Sequence, residues 1–171
     1  MKKVIMAIGL SGAGKTTALE SFAQKYGYRY ISTDNVRSDL NIAHGETSSP
    51  SVWDEIRRRI KQSLGDGETV VMDSTFVTGP DRRTFIEFVR GCGAEKIQGV
   101  FLDTPAELAW KRNSERERSV PTDIFESRRR DLEAEPPHPG DGFDALFTLN
   151  EFQEMIRAEN KEQTKEFKSF S

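Results

Sequence analysis

Gly9-Leu10-Ser11-Gly12-Ala13-Gly14-Lys15-Thr16 has the spacing G-x-x-x-x-G-K-[ST], in which glycines let successive backbone N–H groups converge on phosphate oxygens. In such a loop Lys15 reaches the terminal phosphates, the Thr16 hydroxyl can ligate Mg²⁺, and a following helix turns its positive end toward the anion. The chemistry implied is the binding of a nucleoside triphosphate with Mg²⁺. No reaction is implied yet. A GTPase needs an N-K-x-D base-reading string and a D-x-x-G switch, and neither occurs in the sequence.

Two further carboxylates stand just beyond predicted strands, Asp34 after Tyr28–Ile31 and Asp73 after Val70–Met72. In an open parallel sheet the ligand crevice lies at the carboxyl ends of the strands, so both acids are expected to face the phosphate loop. Together they suggest a base for an acceptor hydroxyl and an aid to the metal, the division of labour that phosphoryl transfer requires. The simpler roles are a helix-dipole contact for Asp34 and a strand end for Asp73. Arg37 follows Asp34 by one helical turn and shares its face, as an anion clamp beside the base or as an intrahelical ion pair. Lys111 to Arg118 is a mixed-charge stretch. It fits a helical lid over about 112–121 that supplies arginine to a transferred phosphoryl, the alternative being a solvated helix end. Arg57-Arg58-Arg59 and Arg128-Arg129-Arg130 alternate with acids on amphipathic helices and read as solvated faces. His44 and His138 have no metal-ligating partners at useful spacing, and Cys92, between two glycines, reads as a turn residue.

The elements that must position these residues are legible from periodicity. Val4–Ile8 is a short continuous apolar run, as in a strand buried on both faces. A helix is predicted from Lys15 to Tyr26 with Gly27 as its stop, and Thr33 is expected to cap a short helix beginning at Asp34. The segment from His44 to Ser48 reads as loop. Ser49-Pro50 starts a helix carrying Trp53, Ile56, Ile60 and Leu64 on one face until Gly65-Asp66-Gly67. Further helices are expected over Pro80–Val89, from Thr104-Pro105-Ala106-Glu107 (a capping box with proline at N1) to about Asn113, and over Pro121–Glu133. Strands are expected at Ile97–Leu102 and Phe143–Leu149. Asn150 with Gln153 is expected to cap a last helix whose polar end, about 160–171, frays. Strands alternating with helices imply a three-layer α/β domain with a mainly parallel sheet of about five strands. With no internal repeat and no long linker, residues 1–171 read as one domain.

Composition bounds the partners. The chain has 171 residues, 25 basic and 28 acidic side chains and a net charge of -3, so any anionic ligand must be held by a local cluster rather than by the whole surface. No apolar run approaches the ~20 residues of a membrane helix. The single Cys92 allows no internal disulfide, and no secretory cleavage pattern follows Met1-Lys2-Lys3, so a cytoplasmic setting without a membrane partner is expected.

The phosphate loop, Ser32-Thr33-Asp34-Asn35-Val36-Arg37, Met72-Asp73-Ser74-Thr75, and Leu108 to Ser114 through Val120-Pro121 together resemble the 5′-hydroxyl polynucleotide kinases typified by the kinase domain of the T-even phage polynucleotide kinase-phosphatase. The resemblance covers about Lys2 to Arg130, in the same order. It implies a P-loop kinase fold that transfers the ATP γ-phosphate, with Mg²⁺, to the 5′-hydroxyl end of DNA or RNA. By this likeness Gly9, Ser11, Gly12, Ala13, Gly14, Lys15, Thr16 and Thr17 hold the nucleotide phosphates, with Arg112 and Arg116 added from the lid. Asp34 is the general base, and Lys15 and Arg116 stabilise the transferred group. Arg37 holds the acceptor's 3′-phosphate, Val120 packs on its terminal base, and Asp73 and Thr75 border the acceptor site. The partner implied is a nucleic acid end, with no obligate protein partner. The family's phosphatase needs an Asp-x-Asp motif that this sequence lacks. Phe143–Leu149 resembles the last strand of the wider group of small P-loop kinases, which keeps a small-metabolite or nucleoside kinase as a second reading. A non-catalytic nucleotide-binding module is a third.

Overall fold

The computed structural model of the protein describes residues 1–43 and 49–170, so the loop expected over His44–Ser48, with His44, lies outside the described residues. Val4 to Ile8 are fully buried because both faces of their strand are covered, as the unbroken apolar run requires. That strand, β1 (Lys3–Ile8), is central in a sheet of order β2-β3-β1-β4-β5, where β2 is Arg29–Ser32, β3 Val70–Asp73, β4 Lys96–Phe101 and β5 Ala145–Thr148. Every pairing is parallel.

Alternate residues of β1 feed two cores. Val4, Met6 and Ile8 pack toward α3 (Pro50–Gly65) and α4 (Gly79–Gly91), against Val52, Ile56, Ile60, Leu64, Phe85 and Val89. Ile5 and Ala7 face α1 (Lys15–Tyr26) and α7 (Leu149–Ser169), against Leu19, Ala23 and Phe152. The result is a three-layer α/β sandwich. Each fully buried aliphatic side chain in these layers contributes roughly 1.5–3 kcal/mol. The chain leaves β1 toward β2 on one side and leaves β3 toward β4 on the other, so the strand order reverses beside β1 and opens a crevice at its carboxyl end.

Several local expectations change. The cap of α2 (Thr33–Asp39) is Ser32, whose hydroxyl accepts from the Asn35 backbone at 3.0 Å, rather than Thr33. Helix α5 (Ala106–Ser114) has no side-chain cap, because Thr104 instead donates to the Ala13 carbonyl at 2.8 Å. Thr148 with Glu151 forms the capping box of α7 where Asn150 with Gln153 is expected, since β5 ends one residue before Leu149. Helix α7 continues to Ser169, past the point where fraying is expected. Its last turns carry mostly Glu, Lys and Gln, which lose little side-chain freedom in a helix. Residues Pro139–Asp141 form a 3-10 turn closed by His138 Nδ1, which accepts from the Gly140 backbone at 2.9 Å.

One fully buried arginine joins the parts around the crevice. Arg82, 1% exposed, donates to Asp141 at 2.7 Å, to the Phe76 carbonyl at 2.9 Å and to the Glu135 carbonyl at 2.6 Å. Phe76 is left-handed, at φ 46, so the chain bends sharply after Asp73 while its carbonyl stays satisfied by Arg82. The same guanidinium fixes the end of α6 (Thr122–Ala134) against α4.

Candidate active site

The phosphate loop runs from the end of β1 into α1 through Gly12 at φ 84 and Gly14 at φ 100, conformations that only glycine adopts without strain. A Cβ on Gly12 would stand 2.2 Å from the Ala109 carbonyl oxygen and 2.9 Å from the Asn113 nitrogen. Helix α5 therefore lies directly on the loop, and Thr104 adds a hydrogen bond to it. Gly12→Ala should cost about 1–3 kcal/mol or more, by strain and by displacement of α5. Thermal melting together with an ATP titration checks this. A variant melting like the native protein and binding ATP normally would contradict the close packing.

Lys15 is 8% exposed, and its Nζ donates to the Gly9 and Leu10 carbonyls at 2.8 and 2.9 Å. Burial pushes its ammonium below the ordinary lysine value, Asp73 and Asp34 opposing the shift and Arg116 and Arg128 adding to it. Thr16 Oγ1 donates to Asp73 Oδ2 at 3.0 Å, and Tyr30 donates its phenolic hydrogen to the same oxygen. Burial and the Asp73 charge raise the Tyr30 phenol well above its usual value, so it stays a donor. The Thr16 hydroxyl and the Asp73 carboxylate are hard oxygen ligands side by side at the sheet end, which fits a Mg²⁺ ion. This places Asp73 beside Thr16, whereas the sequence resemblance puts it on the acceptor border. Thr75, two residues on, lines the cavity wall.

Asp34 opens α2, held by the Ser32 cap, and its side chain is 54% exposed to the cavity; Arg116 lies 3.6 Å from it. Arg37, one turn later, is 8% exposed and its Nε has no hydrogen-bond partner. It is not the intrahelical partner of Asp34. The loop between α5 and α6 is clasped by Asn113, which is fully buried and exchanges two hydrogen bonds of 3.0 Å with the Val120 backbone. The clasp projects Arg116 and Arg118 over α2, where Arg118 donates to Ser38 at 2.6 Å. Arg112 stays near the phosphate loop, with Nη1 3.8 Å from where a Cβ of Gly14 would be. Lys15, Thr16, Asp34, Arg37, Asp73, Thr75, Arg116 and Val120 thus meet around one cavity of about 740 Å³, a size suited to a small ligand or the end of a larger one.

Tyr30 and Asn113 are residues to which sequence reading gave no individual role. Tyr30 precedes Ser32, which pairs with Asp73 in the sheet, by two residues and so shares its face. Arg128, expected on a solvated face, lines the cavity instead. The other expected surface arginines behave as predicted in part. Arg57 pairs with Asp54, and Arg58 and Arg59 pair with Glu55, while Arg57 also borders the cavity. Among the described residues, no group of three His, Cys, Asp or Glu side chains could hold a metal, and no helix is long and apolar enough to cross a membrane.

Residues 4–135 match the family model AAA_33, described as an AAA domain. The chain belongs to this family. L-seryl-tRNA(Sec) kinase of Methanococcus maripaludis is 25% identical over 129 residues, 72% of this chain and 50% of that protein. Shikimate kinase 2 of Yersinia enterocolitica is 36% identical over 94 residues, 50% of this chain and 52% of that protein. This AAA domain thus spans about half the length of both relatives. In the solved Pnkp1/Rnl/Hen1 RNA repair complex, one chain superposes with a TM-score of 0.67 at 18% identity, over 78% of this chain and 44% of that one. That likeness is one of fold. The kinase relatives support a phosphotransferase.

Proposed function

We propose that residues 1–171 act as one ATP-dependent kinase domain that phosphorylates the 5′-hydroxyl end of a polynucleotide. The observation that carries this reading is the pairing on α2. Asp34 faces the phosphate loop, and Arg37, buried with an unpartnered Nε, lies one turn deeper in the same cavity. A hydroxyl positioned at Asp34 with an anionic group at Arg37 is the chemistry of a nucleotide's sugar, whose 5′-hydroxyl and 3′-phosphate flank one ring. The Lys111-Arg112-Asn113-Ser114 stretch of the lid and its order in the chain support the same reading.

In the proposed reaction Asp34 accepts the hydroxyl proton as the oxygen attacks the γ-phosphorus of ATP. Lys15 and Arg116 neutralise charge on the transferred phosphoryl, and Thr16 with Asp73 would hold Mg²⁺. When bound, Mg²⁺ supplies neutralisation of the nucleotide's phosphate charge. The lid arginines exclude water by closing over the donor. Val120 offers an apolar surface to the terminal base.

The second reading, a small-metabolite kinase, is favoured by the stretch 36% identical to a shikimate kinase, because a hydroxyl and an anion on a small ring make the same demands. A transfer assay separates the two. A nucleoside 3′-phosphate should exceed the plain nucleoside by roughly 30-fold or more in kcat/KM, as expected from about 2 kcal/mol for a charge-assisted arginine–phosphate contact. Arg37→Ala should erase most of that gap by harming the phosphorylated acceptor selectively. If wild type treats both alike, or prefers a small hydroxy acid to either, the polynucleotide reading fails. ATP binding without turnover on any acceptor would favour a non-catalytic module.

A further inference from the structure

Arg128 lies on α6, about two turns before the helix end is fixed by Arg82, and is half-buried in the wall of the cavity that holds Asp34 and Arg37. Its neighbour Arg129 pairs with Glu126 and Glu133. Among the described residues, no hydrogen bond or ion pair is made by Arg128, and Arg37 Nε is buried without a partner. Both guanidiniums line the same cavity. Burial first, then the Arg37 charge, depress the Arg128 guanidinium below its usual value, while Asp34 opposes the shift. Asp34 is itself engaged by Arg116 at 3.6 Å. A buried and a half-buried like charge facing one cavity are unfavourable unless anionic charge is placed beside them.

We propose that Arg37 and Arg128 form a joint seat for an acceptor group carrying two negative charges next to the hydroxyl that Asp34 deprotonates, which makes Arg128 a second acceptor-specificity residue. This rests on the reading that the acceptor occupies this cavity. The double charge can come from one phosphomonoester or from two consecutive phosphodiesters of a chain. In either case Arg128 answers to acceptor charge. A solvated arginine would not, and an arginine serving the transferred phosphoryl would affect every acceptor equally.

Three acceptors with a free 5′-hydroxyl test this at pH 7.5. A nucleoside 3′-(methyl phosphate) carries one charge, and a nucleoside 3′-monophosphate carries nearly two, its second ionisation lying near pH 6. A dinucleotide ending in a 3′-(methyl phosphate) carries two on separate groups. At least one doubly charged acceptor should exceed the singly charged one by ~10-fold or more in kcat/KM, mainly through KM. Which one does so identifies the source of the charge. Arg128→Gln should narrow that preference to ~3-fold or less, and Arg128→Lys should restore part of it. The melting temperature of Arg128→Gln should not fall, because a repulsive neighbour of Arg37 is removed. Equal treatment of all three acceptors by wild type overturns the proposal, as does a uniform drop in kcat or a melting-point loss with the preference intact. If none of the three is phosphorylated, the polynucleotide reading fails, and the seat is decided by calorimetry on the ADP-bound protein. There a hydroxyalkyl phosphate should bind ~10-fold or more tightly than its methyl ester, in an Arg128-dependent manner. Equal affinity, or no binding of either, overturns the seat.

Discussion

Replacing Lys15 by alanine should lower phosphoryl transfer by a factor of ~10² or more, equivalent to about 3 kcal/mol of transition-state stabilisation, with the fold preserved. The loss is expected in turnover more than in ATP affinity, because charge on the transferred group grows as the reaction proceeds. Stability should change little. In the folded protein the Lys15 ammonium lies below its ordinary value, chiefly through burial. A lysine whose folded value is lowered binds its proton less readily than in the unfolded chain, so it penalises folding at neutral pH. That penalty fades as pH rises from the folded value toward the unfolded one and is gone above it. Removing the side chain at pH 7 removes the penalty along with the hydrogen bonds to Gly9 and Leu10. The melting temperature should therefore stay within a few degrees of wild type. Single-turnover transfer and thermal melting, measured on one preparation, check both halves. Near-native turnover with an unchanged melting curve would remove Lys15 from the donor site.

Much of the site is legible in the sequence because it depends on local spacing. The phosphate loop is eight consecutive residues, and its glycine pattern fixes its shape without help from the rest of the chain. Asp34 and Arg37 share a face through the helical repeat alone. What escaped reading depends on contacts between distant segments. Thr104 has the sequence context of a helix cap, yet its hydroxyl goes to Ala13, 91 positions away, because α5 packs on the phosphate loop closely enough to offer that carbonyl. Tyr30 looks like an ordinary strand aromatic until the sheet register brings Asp73 onto its face. The three arginines from Arg128 to Arg130 are identical in type, and rotation of about 100° per residue sends them to different surroundings. Arg128 enters the cavity, Arg129 pairs with two glutamates, and Arg130 is exposed. A charged run therefore names the helix but not which member faces inward.

Asp34→Asn should reduce transfer by ~10² or more while leaving ATP affinity within a few-fold of wild type. The substitution keeps the side chain's shape, and the backbone bond from Asn35 to Ser32 that starts α2 does not involve it, so the helix should form as before. Asparagine keeps an acceptor oxygen for the hydroxyl but cannot take its proton. The contact with Arg116 at 3.6 Å loses its charge, which frees the lid arginine and should weaken donor binding little, because the side chains are 40% and 54% exposed and such pairs contribute under about 1 kcal/mol. A loss through base removal therefore has a signature distinct from a loss through lid disruption. The first lowers kcat for every acceptor by a similar factor and leaves ADP binding alone. The second raises the KM for ATP. Asp34→Glu, which keeps the base but moves it by one methylene, should fall between the two, since a general base must lie within hydrogen-bond reach of the proton it removes. Steady-state kinetics on two acceptors, with ADP affinity measured separately for each variant, distinguishes these outcomes. Full activity in Asp34→Asn, or a defect confined to ATP binding, would assign the base to another group and leave Asp34 as a helix-end contact.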